Sequence, residues 1–301
     1  MTVEGAEERV RAAAMTWLDA RAQAGQELLR FEDLAEFHFE GQRIPLMDRQ
    51  RGIRRPRSWD SALSFRTTFT PPNQVPPYED TEGPDGLLRY KYRGEDPDHP
   101  ENVALRRVLW RRQPLIWFVG VASGRYLPRY PVWLVADEPD RLQFAVALDG
   151  AQLLVRHDAL GPDDRDYVCR LPRLRLHQPV FRARVLQAYA STCAMCRLRH
   201  ASLLDAAHIL PDTHPRGTPV VPNGLALCKI HHAAFDQNIL GVRPDLVVEV
   251  RRDILAEVDG PMLRHGLQEM AGVTLCAPTR RDARPDRARL EERYEQFRTA
   301  S

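Results

Sequence analysis

Between Cys193 and Gly241 the chain carries Cys193-x-x-Cys196 and, well downstream, Cys228-x-x-His231. No other feature limits the fold as strongly. Three thiolates and an imidazole make a tetrahedral donor set suited to structural Zn²⁺, and the two short pairs must meet in space for it to form. A lone C-x-x-C is a weak signal, but the second pair strengthens it. The expected purpose is to staple a segment with too little core of its own. Five cysteines is an odd number, and three of them stand at ligand spacing, so metal binding in a reducing compartment is expected over a disulfide framework. Cys169 and Cys276 lack such company and read as core thiols.

Three further polar residues lie inside this frame. Leu203 to Ile209 reads as a strand carrying His208, Pro222-Asn223-Gly224-Leu225-Ala226-Leu227 as a turn and second strand, and His232 falls at the start of a helix. This order closely resembles the HNH endonuclease family with its ββα-metal fold, over roughly residues 190 to 241. The resemblance implies that His208 is the general base, that Asn223 braces the loop orienting it, and that His232 helps to bind a divalent ion, Mg²⁺ or Mn²⁺. Many members carry an acidic residue or His directly before the general base, where this chain has Ala207. The nearest carboxylate, Asp205, is the proposed second ligand, with Asp212 and Asp236 as rivals. His231 and His232 could exchange roles; the C-x-x-H spacing assigns His231 to zinc.

The remainder of the 301 residues suggests two domains. Residues 1–160 read as an N-terminal DNA-recognition domain, 161–180 as a linker rich in Asp, Arg and Pro, and 181–301 as the nuclease domain with a C-terminal extension. Within the first, 1–46 is a helical lead-in and 47–160 is sheet-rich. Helices are expected over 4–24, 31–37 and 102–112, and strands over 61–70, 87–92, 115–121, 132–136 and 142–148. A further helix is expected over 180–191, a strand over 242–250, and a charged helix over 285–298 with Leu290, Tyr294 and Phe297 on one face. The fold class is α+β: a mixed N-terminal domain with a small curled sheet, then a zinc-stabilised ββα-metal domain with a helical tail.

Net charge is only +2, yet Lys91 and Lys229 are the sole lysines among 43 basic residues. Arginine suits forked contacts to phosphate or guanine. Arg51, Arg54 and Arg55 crowd a loop without a sequence-neighbouring acid after Asp48, and Arg182 and Arg184 sit on the helix before Cys193. Together with Arg93 they are candidates for DNA contact.

In the N-terminal domain, Tyr78-Glu79-Asp80, then Tyr90-Lys91-Tyr92-Arg93-Gly94, then Asn102 with Ala104-Leu105, resembles SRA-type domains, the PUA-like barrels that flip out and read a modified cytosine. The resemblance implies that Tyr78 and Tyr92 stack on the base while Asp80 or a near neighbour reads its Watson–Crick edge. The family's Thr before the glycine is Arg93 here. Taken together, the expectation is a modification-dependent, type IV-like restriction endonuclease acting on double-stranded, modified DNA. Two alternatives stand beside it: an HNH enzyme that nicks unmodified DNA, and a zinc-containing DNA-binding protein with a dead centre. A homodimer is expected for double-strand cleavage. No stretch approaches the roughly 18 apolar residues of a membrane span, and the N-terminus lacks the basic and apolar regions of a secretory signal; a cytoplasmic protein is expected.

Overall fold

The computed structural model describes residues 3–69, 87–148 and 178–300, and the chain divides into two compact units, Met1–Leu176 and His177–Ser301. The first opens with α1 (Val3–Gln23). Val10, Ala14 and Leu18 recur at helical spacing and join a core with Ile116 and Phe118. After α2 (Phe31–Leu34), β1 (His38–Phe39) and β2 (Gln42–Arg43) form a hairpin whose turn residues, Glu40 and Gly41, have φ of 48° and 77°. Positive φ at both central positions matches the twist of the flanking strands.

β3 (Ile53–Arg54), β4 (Ser64–Thr67), β5 (Leu88–Lys91), β6 (Leu115–Ala122), β7 (Arg125–Glu138) and β8 (Gln143–Ala147) make one six-stranded sheet in the order β3-β4-β6-β7-β8-β5. Only β4 and β6 run parallel. β6 is buried from Leu115 to Val121: Ile116 and Phe118 join the α1 core, while Trp117 stacks on Phe65 at 5.7 Å. Covering both faces explains why its sequence is a continuous apolar run. β7 is one strand of 14 residues where the sequence suggested only 132–136. It pairs with β6 up to Val132 and with β8 from Trp133, with register shifts on both sides. Bulges bend a strand and increase its twist, so one long strand serves both halves of a curled sheet. Arg125, Arg129 and two prolines interrupt the apolar signal of its first half.

Helix α3 (Pro100–Arg111) begins two residues earlier than expected, because Pro100 takes the first turn and His99 Nδ1 accepts from the Glu101 amide at 3.2 Å. Asn102 on this helix is fully buried, accepts from the Arg93 amide at 2.8 Å and donates to the Arg93 and Asp96 carbonyls. It holds the Tyr92-Arg93-Gly94 turn in place.

In the second unit, α4 (178–188) precedes the Cys193 knuckle. β9 (Leu204–His208) and β10 (Gly224–Cys228) pair antiparallel, Gly224 opposite His208, and α5 (Lys229–Asp236) follows at once. This is the ββα order expected. Gly224 admits α4: a Cβ there would lie 2.5 Å from Val185 Cγ2 and 2.9 Å from Phe181 Cζ. The strand expected over 242–250 is instead a hairpin, β11 (Leu240–Val242) with β12 (Val248–Val250), turned through Leu246 at φ 69°. Short helices α6 (Arg252–Ala256) and α7 (Pro261–Gly266) follow, and the terminal helix is α8 (Arg287–Thr299). One core joins these parts, from Val185 and Leu186 through Leu225, Leu227 and Phe235 to Leu240 and Leu290, with Cys193 and Cys228 inside it. No described helix is long and apolar enough to cross a membrane.

Candidate functional site

The two short cysteine pairs meet. Ligand atoms of Cys193, Cys196, Cys228 and His231 all lie within 4.8 Å of one another. Zn–S bonds of about 2.3 Å at tetrahedral angles separate sulfurs by roughly 3.8 Å, and Cys196 Sγ lies 4.0 Å from Cys228 Sγ. His231 Nδ1 faces Cys228 Sγ at 3.2 Å and Cys193 Sγ at 3.5 Å, while its Nε2 is 2.8 Å from the Gly266 carbonyl oxygen. That carbonyl takes the Nε2–H and leaves Nδ1 as the donor for a metal, the usual outer-shell device for a ligating histidine. The Cys193 thiol is pushed down to about 3, first by its hydrogen bond with Cys228 and also by His231; Cys228, the other half of that pair, is pushed up. The residues present therefore fit a tetrahedral metal such as zinc. Gly266 was not foreseen in the sequence, since a backbone carbonyl leaves no residue-type signal.

His232, next in the chain, points elsewhere and lines a cleft of about 380 Å³ with His208, Asp212, Asp236, Asn238 and Arg293. His208 ends β9 and stacks on Phe181 of α4, ring centroids 4.1 Å apart and planes at 18°. Its Nε2 is buried and has no hydrogen-bond partner among the described residues. Burial lowers the His208 pKa, opposed by the charges of Asp212 and Asp236. Burial thus favours the neutral ring, the state a general base requires.

Asn223 is fully buried and braces the segment after His208. Its Oδ1 accepts from the Leu210 amide at 3.0 Å, and its Nδ2 donates to the carbonyls of Leu210 at 2.9 Å and Thr218 at 3.2 Å. The Asn223 backbone carbonyl also accepts from Ile209 at 2.9 Å.

His232 stands between two carboxylates. Its Nδ1 is 3.8 Å from Asp205 Oδ2, and its Nε2 is 3.3 Å from Asp236 Oδ2. The hydrogen bond with Asp236 raises its pKa, against burial, and the charges of both acids add to the rise. An imidazole with carboxylate oxygens is a reasonable donor set for a hard divalent ion. The closer Asp236 orients one ring nitrogen, which leaves Nδ1 and Asp205 as the pair able to share an ion. Asp212 lines the cleft on the His208 side.

The arginines expected to face DNA divide into two groups. Arg54 is bound to the Pro45 carbonyl at 2.9 Å and Arg55 to the Trp59 carbonyl at 2.9 Å. Arg182 donates to the Leu204 carbonyl at 3.0 Å and lies 3.5 Å from Asp205, and Arg184 is half-buried with its pKa lowered by that burial. Arg54 and Arg182 are thus tied into the framework, which corrects the expectation of a phosphate-facing role for these two: the fold supplies acceptors that sequence neighbours do not. Arg51, Arg55 and Arg93 are exposed, and Arg51 and Arg93 share the buried Glu101, at 3.8 and 3.2 Å.

Arg93 and Glu101 line a cavity of about 520 Å³ in the first unit, together with Gly52, Arg66, Thr67, Tyr90, Lys91 and Tyr92. Tyr78 and Asp80 lie outside the described residues, as does Cys169. Tyr92 is only 2% exposed; its ring packs on Phe144 at 4.8 Å, and its hydroxyl is bonded to Asp137 and Arg106. It is a wall held in place, which corrects the expectation of an open stacking face. Tyr90, half-buried against Phe65 at 4.5 Å, is the more accessible aromatic of the cavity.

Residues 193–243 match the family model described as HNH endonuclease. A solved structure described as the modification-dependent TagI restriction endonuclease is similar over 79% of this chain and 82% of that one, with 18% identity and a TM-score of 0.32. No curated protein matches the sequence.

Proposed function

We propose that this chain is a metal-dependent DNA endonuclease whose second unit hydrolyses phosphodiester bonds and whose first unit reads a modified cytosine turned out of the duplex. The observation that carries the nuclease reading is one cleft holding a neutral His208 beside His232, with Asp205 and Asp236 on either side of the latter. His208 takes the proton from the attacking water. Asn223 fixes the backbone that follows His208, so the base keeps its aim through the reaction. Asp236 holds the His232 ring by one nitrogen, and His232 and Asp205 are the residues that would hold Mg²⁺ or Mn²⁺. When bound, such an ion supplies stabilisation of the charge that develops on the phosphate and the leaving oxygen. The Cys193, Cys196, Cys228 and His231 set would hold Zn²⁺ as a structural staple.

The base-reading assignment rests on the cavity beside Tyr90 and Arg93, where an aromatic face can replace lost stacking and charged groups can read a base edge. Because one such centre cuts one strand, double-strand cleavage is assigned to a homodimer on DNA.

The test uses the full chain with Mg²⁺ or Mn²⁺ and two plasmids, one bearing modified cytosines and one bare. Cutting of the modified plasmid alone is the expected result. Cutting of both would make this a nuclease without modification dependence, and binding without cutting would make it a DNA-binding protein. For the cavity, Tyr90→Ala should weaken preference for modified DNA by ~1–3 kcal/mol, the scale of one stacking contact; unchanged discrimination would remove Tyr90 from the pocket.

A further inference from the structure

The cleft contains a cation that lies outside the segment matched to the HNH family. Arg293 belongs to α8, a helix built into the second unit at both ends. At its start the Asp286 amide donates to the Pro222 carbonyl at 2.9 Å, one residue before Asn223, while the Asp286 side chain caps the helix by accepting from Arg289 at 2.9 Å. Toward its end Phe297 lies against the backbone of Gly241, where a Cβ would come within 2.5 Å of the ring. Leu290, Arg293 and Phe297 share the buried face, at 0, 8 and 4% exposure. Helical spacing between the two apolar anchors thus dictates where Arg293 stands.

Its surroundings are unusual for a buried guanidinium. Nη2 donates to the Phe235 carbonyl at 2.6 Å, Nη1 donates to Asn238 Oδ1, and the guanidinium carbon sits 4.7 Å from the Phe235 ring centroid. Every one of these partners is neutral, and among the described residues no carboxylate lies within ion-pair distance of it. Burial accordingly pulls its pKa down, with the charge of Asp236 opposing. A buried charge without a counter-ion is costly. Arginine has five N–H donors, so the two carbonyl-type contacts fix its plane and leave donors over.

We propose that Arg293 is a phosphate ligand of the nuclease cleft, its missing counter-charge being supplied by a DNA phosphodiester held beside His208 and His232. The inference rests on the endonuclease reading for the identity of the anion. A forked guanidinium gives two directed contacts to phosphate oxygens, which a point charge does not. α8 thereby contributes to the cleft chemically as well as through its apolar face.

The experiment places Arg293→Met and Arg293→Lys in the full chain, each with and without His208→Ala. In the His208→Ala background, binding to a short duplex is followed by fluorescence anisotropy across a salt series. One lost phosphate contact should make the slope of log K against log salt shallower by about 0.9 for Arg293→Met, while Arg293→Lys keeps the slope. With His208 present, Arg293→Met should slow single-turnover cleavage by ~100-fold and Arg293→Lys by ~10-fold, since Lys retains the charge and loses the fork. A purely structural tie would lower the melting temperature without changing the salt slope. An unchanged slope in Arg293→Met overturns the proposal; should that variant fail to fold, wild-type cleavage by Arg293→Lys overturns it. If the unsubstituted chain binds DNA and never cuts it, the endonuclease reading fails, while a shallower slope in Arg293→Met still establishes the phosphate contact.

Discussion

Asn223 and Leu210 form a closed pair: the side-chain oxygen of Asn223 accepts from the Leu210 amide at 3.0 Å and its nitrogen donates back to the Leu210 carbonyl at 2.9 Å. The backbone two residues after His208 is thereby clamped to the start of β10. Asn223→Ala leaves the buried Leu210 amide and carbonyl short of a partner, each costing about 1–3 kcal/mol. The second unit should melt at lower temperature, and cleavage should fall by about two orders of magnitude as His208 loses its aim. Asn223→Asp keeps the acceptor but sets a carboxylate against two carbonyl oxygens, so it should be no better. Thermal melts with single-turnover cleavage decide this; a variant that both melts and cuts like wild type contradicts the bracing role.

The pH dependence follows from the lowered pKa of His208. Its neutral form is the proposed base, so activity should hold on the alkaline side and decline tenfold per unit only below an apparent pKa under the ordinary histidine value of about 6.5. The same shift affects stability: the contribution of neutral His208 is present above the unfolded pKa and is lost as pH falls through the folded one. A rate profile from pH 4.5 to 9 checks this. An acid limb at or above the ordinary value would mean that the ring is not held neutral by burial.

Asp205 and Asp236 should behave differently. Asp205→Ala removes a proposed ion ligand and should abolish cleavage while DNA binding persists. Asp236→Asn removes the group that orients His232, and a loss of roughly 10–100-fold, partly recovered at higher Mn²⁺, is expected of an outer-shell partner. Full activity in Asp205→Ala would transfer the ligand role to Asp236 or Asp212.

Removal of the metal proposed for Cys193, Cys196, Cys228 and His231 should unfold the second unit. Binding of this kind is worth on the order of 10–16 kcal/mol in small zinc modules, so Cys193→Ser should purify without zinc and lack a folded 193–243 segment. Cys276→Ser, outside the ligand set, should keep both zinc and fold. Metal analysis alongside circular dichroism makes the comparison, and a fully zinc-loaded, folded Cys193→Ser variant would rule out the proposed ligand set.

Much of the site could be read in the chain because its chemistry is concentrated in a short segment. Cys193-x-x-Cys196 and Cys228-x-x-His231 state a donor set by residue type, and Asn223-Gly224 combines a side-chain brace with a position where α4 approaches too closely for a Cβ. Local periodicity likewise indicated α1, α3 and α8, each with its apolar spacing. β7 is longer than its apolar pattern suggests, because a strand that changes partners midway carries arginines and prolines where one half faces a different neighbour.

What the sequence determined by itself is the kind of chemistry: soft ligands for one metal, and a His, Asn, His order for a ββα frame, since these depend on residue types at short separations. What only the tertiary structure decided is which groups stand free to use it. Arg54 and Arg182 are engaged by acceptors outside their own turn of chain, Tyr92 is enclosed by Phe144, Asp137 and Arg106, and Arg293 enters the cleft from a helix far downstream of His232. Charge and aromaticity are properties of a residue, but their availability depends on partners that chain folding brings from long range, and no local pattern records those partners.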